Sequence, residues 1–478
     1  MLATTTLKGA SWLVFSRFIG RFIDFFTLLI LARMLSPSEF GIAALAMALV
    51  MVVDTVLEVP VTQALIRQPT IDKTHLDTGF TLALMRSVFI AVVVMLVAWP
   101  YAAYNHNENI IALASVLVIG PAAKGFASPA MIYFARDINY LPPFMLETLG
   151  KVCAFTAATT VVLMGGSYWA IAANFVASAV AGTLISYLFA PYRPSLTLVR
   201  FKDFASFIGW FSSAQLVSAL NWQLDRFMLG AWASSAVLGR YSVANDLSVL
   251  PTQTIVGPAL QPVMAAFSRI ASDRLRLQRA FLKASRFAMM ISVPVAVGIS
   301  LTADLTTSVM LGAQWNEAAT FLSLLALAMV PIPYFQTLYS VCLAVDRPHI
   351  ILRLNTIDLA FRIAFITVGY HFLAADGAAL ARVALSFTMF GIYVLTLRKM
   401  LGLHVRQQLA NLWKVLVAAS VMTVIVLILR REIDQWQMTS VLELGLVAVA
   451  GAATYVGMLF VLGLRLTLAS GRPEFLNL

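Results

Sequence analysis

Charged residues are scarce in this chain. Asp, Glu, Lys and Arg make up 12% of 478 residues, against about 25% in soluble globular domains, which excludes an ordinary soluble fold. Cysteine is rarer still. Cys153 and Cys342 both fall inside hydrophobic stretches, so neither a disulfide framework nor a thiolate cluster is indicated. The histidines, His75, His106, His349, His371 and His404, lie at loops or span ends without HExxH spacing or an adjacent carboxylate cluster, which argues against a metal site. No stretch between apolar runs is long enough for a soluble domain. Met1 to Ser11 is short and polar with Lys8 its one charge, and no small-residue cleavage pattern follows, so no cleavable signal is expected.

What is present is apolar: 60% of the residues, with mean hydropathy +0.87. At about 20 apolar residues per span, the runs read as about fourteen transmembrane helices. They lie near 11–33, 40–60, 78–100, 109–134, 146–164, 167–190, 206–231, 239–267, 283–311, 317–345, 350–372, 377–398, 411–430 and 441–464. The fold class is therefore an all-α polytopic membrane protein. With the amino terminus inside, one set of loops collects most loop cations, including Arg67, Arg136, Arg200, Arg274, Arg347 and Arg406. The opposite set holds Arg33, Arg240, Arg430 and Arg431. That asymmetry places both termini in the cytoplasm and accounts for the net charge of +11, with the positive loops facing anionic lipid. The densest run, Arg269 to Arg286, reads as an amphipathic cytoplasmic linker; no nucleic-acid partner is implied.

A shift of 198 positions pairs Trp12 with Trp210, Leu31 with Leu229, Ser36 with Ser234, Gly41 with Gly239 and Pro60 with Pro258. Two six-helix lobes in parallel pseudo-repeat follow, 1–200 and 201–400, with two further helices in 401–478. The glycine and proline matches weigh most, because they mark backbone geometry.

Charges inside the spans are the candidate functional residues, since each costs at least about 2.5–3.5 kcal/mol to insert and needs a wet cavity or a partner. Arg17, Arg21 and Asp24 are spaced i, i+4, i+7 on one face of the first span. The other deep cations are Arg86, Lys124, Arg226, Arg362 and Arg382, and the other acids Asp54, Asp225, Asp246, Asp304 and Asp358. Depth matching at 1.5 Å per residue puts Arg17 and Asp54 both about 9 Å inside the cytoplasmic surface, and likewise matches Arg226 with Asp246. Asp358 and Arg362 (i, i+4), and Arg21 and Asp24 (i, i+3), can pair on one helix. Structural pairs and ligand sites both stay open for these. Lys124 and Arg382 find no mate at their depth, which favours a cavity or ligand role. The stripe Asn221, Trp222, Gln223, with Gln215 and Asn245, suits sugar contact or interhelical hydrogen bonds. Pro294, Pro331 and Pro333 should bend spans nine and ten.

The segments KGASWLVFSRF (8–18), LARMLSPSEFG (31–41) and AQWNEA (313–318) resemble Wzx-type polysaccharide flippases of the multidrug/oligosaccharidyl-lipid/polysaccharide superfamily, in the branch with colanic acid and succinoglycan exporters. The resemblance implies a V-shaped helical transporter of the bacterial inner membrane, not an enzyme. Its substrate would be undecaprenyl-pyrophosphate-linked oligosaccharide, moved by alternating access through a cationic central cavity. Membrane lipids, and a polysaccharide polymerase with chain-length machinery, would be its partners. No cofactor is implied, though acids such as Asp24 or Asp358 could couple protons or sodium. Arginine suits the pyrophosphate through forked, charge-assisted hydrogen bonds. The rival readings are a membrane polymerase or glycosyltransferase, a multidrug exporter, and a lipid II transporter. The first needs a sizeable outer loop, and the longest, Pro100 to Asn109, offers His106 and Glu108 alone as titratable groups.

Overall fold

The computed structural model describes the backbone of 2–476 except 69, 138, 253, 255, 256, 434, 436, 437, 464, 470 and 471. Side chains are described from residue 18 to 463, without 63, 67, 205–215, 257–259, 261, 262, 265 and those same gaps. The chain is helical throughout, apart from a C-terminal hairpin of β1 (Arg465–Ala469) and β2 (Arg472–Leu476), paired antiparallel.

Helix α1 (Leu2–Met34) gives way to α2 (Pro37–Val56) at a tight polar turn. The turn is a capping box: the Ser36 hydroxyl accepts from the Glu39 N–H at 3.4 Å, and the Glu39 carboxylate accepts from the Ser36 N–H at 2.6 Å. Pro37 occupies the first helical turn, where no amide partner is needed. Asp72 caps α3 (Lys73–Tyr104) in the same way, accepting from the His75 N–H at 2.8 Å. The fourth run is not one helix. It breaks into α4 (Asn109–Leu117), α5 (Ile119–Gly125) and two short turns ending at Arg136, bent by 58°. There follow α6 (Leu141–Leu163), α7 (Trp169–Phe189), α8 (Phe201–Trp232), α9 (Ser235–Pro251) and α10 (Gly257–Arg269).

Beyond these come α11 (Arg274–Leu301), α12 (Ala318–Ala328), α13 (Ile332–Ala344), α14 (Pro348–Leu401), α15 (Trp413–Ile433) and α16 (Ser440–Val461). Pro331 stands at the break between α12 and α13. Helix α14 runs 54 residues, but Leu373 and Ala374 leave helical geometry, Ala374 at φ +50°. A Cβ on Gly369 would lie 2.2 Å from the Gly377 carbonyl oxygen. Eight residues of straight helix would hold those positions about 12 Å apart, so α14 is two limbs folded back on each other.

The expected apolar runs fall largely on these helices, with the run at 350–372 and that at 377–398 on the two limbs of α14. Among the described residues, nine helices are long and apolar enough to span a membrane, or ten with the bent pair counted once. Their outward surfaces are apolar, as lipid requires: Leu96 is 71% and Trp99 73% exposed on α3.

The chain forms two compact units, Met1–Ser242 and Val243–Leu478. The lobe boundary read from the sequence, near 200, precedes α8, and α8 and half of α9 sit in the first unit. Glycine explains the packing there. A Cβ on Gly41 would meet the Ser235 carbonyl oxygen at 1.8 Å, and one on Gly239 the Pro37 carbonyl oxygen at 1.8 Å. These are the positions matched by the 198-residue shift, and each glycine lies against the other's turn. Tyr101 of α3 packs edge-on to Phe227 of α8 at 5.6 Å. In the second unit the core centres on Phe281, Tyr334, Leu338, Leu385 and Tyr393, with the Phe335 and Tyr393 rings stacked at 4.9 Å.

Candidate functional site: charges within the membrane helices

In the first unit α1 meets α6 at Gly20, where a Cβ would lie 3.0 Å from Lys151 Cε and 3.3 Å from Glu147 Oε1. This close approach brings Lys151 Nζ to 2.5 Å from Asp24 Oδ2. Arg21 Nη1 stands 4.0 Å from the same oxygen and is half-exposed. Asp24 is therefore neutralised mainly across helices by Lys151, which leaves the Arg21 guanidinium largely available. Lys151 did not emerge from the sequence reading. Its signal was the Glu147/Lys151 pair, i, i+4, at the entry of an apolar run. The Arg17 side chain lies outside the described residues.

The expected Arg17–Asp54 pair lies outside the described side chains. Asp54 takes its ion pair from Arg86 of α3. The same guanidinium donates from Nε to the Leu57 carbonyl oxygen and from Nη2 to that of Asp54, both at 2.8 Å. The last carbonyls of α2 have no intrahelical partners, and a planar fork with several donors satisfies two of them and the carboxylate together.

The broken fourth span frees carbonyls that lipid could not satisfy, and neighbouring side chains take them up. Ser87 donates to the Ala122 oxygen (3.0 Å), Thr183 to that of Ala123 (2.8 Å) and Tyr187 to that of Phe126 (2.9 Å). Ser128 donates from its N–H to the Ser186 hydroxyl at 2.9 Å, and from its own hydroxyl to the Ala190 oxygen at 2.7 Å. Lys124, in the last turn of α5, is exposed and has no hydrogen-bond or ion-pair partner among the described residues.

On α8, Asp225 is buried and accepts from the Tyr241 hydroxyl at 2.8 Å, while Arg226 Nη1 donates to Gln223 Oε1 at 3.1 Å. Asn221 and Gln223 are buried whereas Trp222 is 62% exposed, so of that stripe Trp222 alone offers a broad open face. Gln215 lies outside the described side chains. Asn245 is half-buried and Asp246 exposed on α9.

In the second unit Arg362 Nη2 bonds Asp358 Oδ2 at 2.8 Å on the first limb of α14, both side chains largely buried. Arg382 lies on the second limb, half-buried, and Tyr393 of that limb is within electrostatic reach of all three charges. Asp304 pairs with Arg430, which also donates to the Leu301 oxygen at 2.6 Å and stands 3.9 Å from Glu443. That cluster ties α11, α15 and α16 together at one end. Among the described residues no group of three His, Cys, Asp or Glu side chains could hold a metal.

Residues 30–320 match the family described as polysaccharide biosynthesis protein. The lipopolysaccharide biosynthesis protein WzxC of Escherichia coli (strain K12) is 22% identical over 422 residues, covering 86% of this chain and 85% of that protein. The succinoglycan biosynthesis transport protein ExoT of Rhizobium meliloti (strain 1021) is 24% identical over 337 residues, covering 68% and 66%. The fold is that of the lipid II flippase MurJ in its inward closed conformation, with TM-score 0.72 at 12% identity, covering 95% of this chain and 98% of that one.

Proposed function

The chain belongs to the polysaccharide biosynthesis protein family, and from that premise we propose that it flips an undecaprenyl-pyrophosphate-linked oligosaccharide across the bacterial inner membrane by alternating access. It is a transporter and performs no covalent chemistry. Its termini lie in the cytoplasm, and the product passes to a polymerase with its chain-length machinery. Lys124 and Arg21, both in the first unit, contact the pyrophosphate.

One observation carries this reading: three acids within the spans are already matched while Lys124 is left over among the described residues. Asp24 is held by Lys151, Asp54 by Arg86 and Asp358 by Arg362, whereas Lys124 stands exposed and unpaired among the described residues. An exporter of cationic drugs needs the reverse, an acid left open. A pyrophosphate needs what is here, and a charge-assisted hydrogen bond to it is worth about 1.5–3 kcal/mol. Asp24 is the natural coupling group, since its protonation would release Lys151.

The test is translocation of lipid-linked oligosaccharide in reconstituted vesicles. Lys124→Ala and Arg21→Ala should each slow flipping about tenfold or more. Wild-type rates in both would overturn the cationic site.

A further inference from the structure

The stretch that joins α7 to α8 is strapped along the first turns of α3 by a row of side-chain bonds. The Asp77 carboxylate accepts from the Tyr192 hydroxyl and, at 3.2 Å, from the Ser195 N–H. Thr81 Oγ1 accepts from the Thr197 N–H at 3.0 Å, and Thr78 Oγ1 from the Arg200 N–H at 3.3 Å. The Arg200 guanidinium lies 3.3 Å from Asp72. A small apolar cluster of Leu65, Leu76, Ile132 and Phe204 underlies the strap. None of these bonds involves an imidazole.

The last one does. His75 is 7% exposed, with Nδ1 2.6 Å from Asp72 Oδ1 and Nε2 3.4 Å from Asp203 Oδ2 at the start of α8. A neutral imidazole donates from one nitrogen only; the imidazolium donates from both. A neutral ring with its proton on Nε2 could accept the Asp72 N–H at Nδ1, 3.4 Å away. That arrangement sets the Nδ1 lone pair against a carboxylate oxygen 2.6 Å distant. With its proton on Nδ1 the neutral ring would instead donate to Asp72 and turn the Nε2 lone pair to Asp203, 3.4 Å away. The charged ring alone therefore donates to both carboxylates, and histidine as a residue type gains or loses that charge near neutrality.

We propose that His75 is a proton-operated latch: its imidazolium bridges Asp72 and Asp203 and clamps the start of α8 to α3, and its deprotonation frees α8. The charged surroundings fit. Asp72 and Lys73 flank the ring on its own helix, and Asp77 is engaged by the strap. Tyr192 and Arg200 approach from the strap, Lys202 and Asp203 from α8, and Arg136 from the short helix ending there, bonded to the Gln68 oxygen at 2.8 Å. Asp72 is held well below the usual carboxylate range by the Thr74 hydroxyl and the His75 N–H, so it stays anionic. Asp72 keeps Arg200 when the ring discharges. Asp203 has no second ion pair among the described residues, so the link to α8 depends on the proton. By the loop-charge asymmetry this end faces the cytoplasm. A latch here would restrain α8, which carries Arg226 and packs on α2, when the cytoplasm acidifies.

The test needs no substrate, so its failure is separable from that of the proposed transport function. Spin labels are placed at Thr70→Cys and Lys202→Cys in full-length protein with Cys153→Ser and Cys342→Ala, reconstituted in vesicles. Their distance distribution is then measured at pH 5.5 and pH 8. One narrow distance at pH 5.5 that broadens and lengthens at pH 8 is expected. His75→Gln should show the broad distribution at both values. Asp203→Asn, which spares the histidine and alters a part-exposed side chain, should do the same. A distribution unchanged with pH in the otherwise wild-type chain overturns the latch, as does a pH response that survives in Asp203→Asn.

Discussion

The two units neutralise their buried acids differently. In the first, the mates come from other helices: Asp24 of α1 meets Lys151 of α6, and Asp54 of α2 meets Arg86 of α3. In the second, Asp358 finds Arg362 one turn along its own helix, while Asp304 meets Arg430 across helices at their ends. A same-helix pair travels with its helix and is indifferent to how neighbours move. An interhelical pair is a mechanical joint, broken when its helices part. Helix motion in transport would be felt by both of these joints in the first unit, and in the second by Asp304–Arg430 but not by Asp358–Arg362.

The largest effect should come from undoing the best-connected joint. Arg86→Met would leave a largely buried carboxylate and two α2 carbonyls without donors, costing about 3–5 kcal/mol by analogy with broken buried pairs. Thermal unfolding in detergent should show a large loss for Arg86→Met and a much smaller one for Arg200→Met, whose pair is half-exposed. Equal losses would mean that the cap on α2 contributes nothing.

Glycine sharpens the same contrast with opposite signs. Gly41→Ala in the first unit drives a methyl into the Ser235 carbonyl and should destabilise by about 1–3 kcal/mol. Gly298→Ala in α11 meets nothing within 4 Å, so it should stabilise by up to about 1 kcal/mol through helix propensity. Melting temperatures moving in the same direction would refute the close approach of the matched turns.

Much of this architecture was legible in the sequence, because hydropathy and capping are local. The SPSE turn at 36–39 announces a helix start, and the structure has its capping box there. What stayed hidden was direction around a helix. Depth arithmetic made Arg17 a plausible mate for Asp54, while the described mate is Arg86 on another helix, and no period in the sequence reveals that. Lys151 was passed over because it stands near the entry of its run, where a lysine can reach water. The break in span four was hidden for another reason: the residues that make it tolerable, Ser87, Thr183, Ser186 and Tyr187, belong to other helices. Lys124 was legible, since an unmatched cation in an apolar run is conspicuous whatever the geometry.

Function should follow the joints. Asp24→Asn removes the acid that holds Lys151 and should slow flipping about tenfold, while Asp358→Asn, changing a pair internal to one limb of α14, should slow it about twofold. The rates are read in reconstituted vesicles, and a larger loss for Asp358→Asn would transfer the mechanical role to the second unit.

The smallest effect is the most diagnostic. In double-mutant cycles on stability, Asp358/Arg362 should show a modest coupling, of the order of 0.5 kcal/mol for i, i+4 pairs and somewhat more when buried. Asp24/Lys151 should also couple, but only in the conformation where α1 lies against α6. Lys151 has a flexible stem, so the swapped pair Asp24→Lys with Lys151→Asp can re-form if the helices meet at Gly20 as they do here. The swap at Asp358/Arg362 should restore stability whatever the state of transport. The swap at Asp24/Lys151 should restore stability but not flipping, because Arg21 would then face a like charge three residues away. Recovery of both would make that pair a passive salt bridge like its counterpart, and the contrast between the units would vanish.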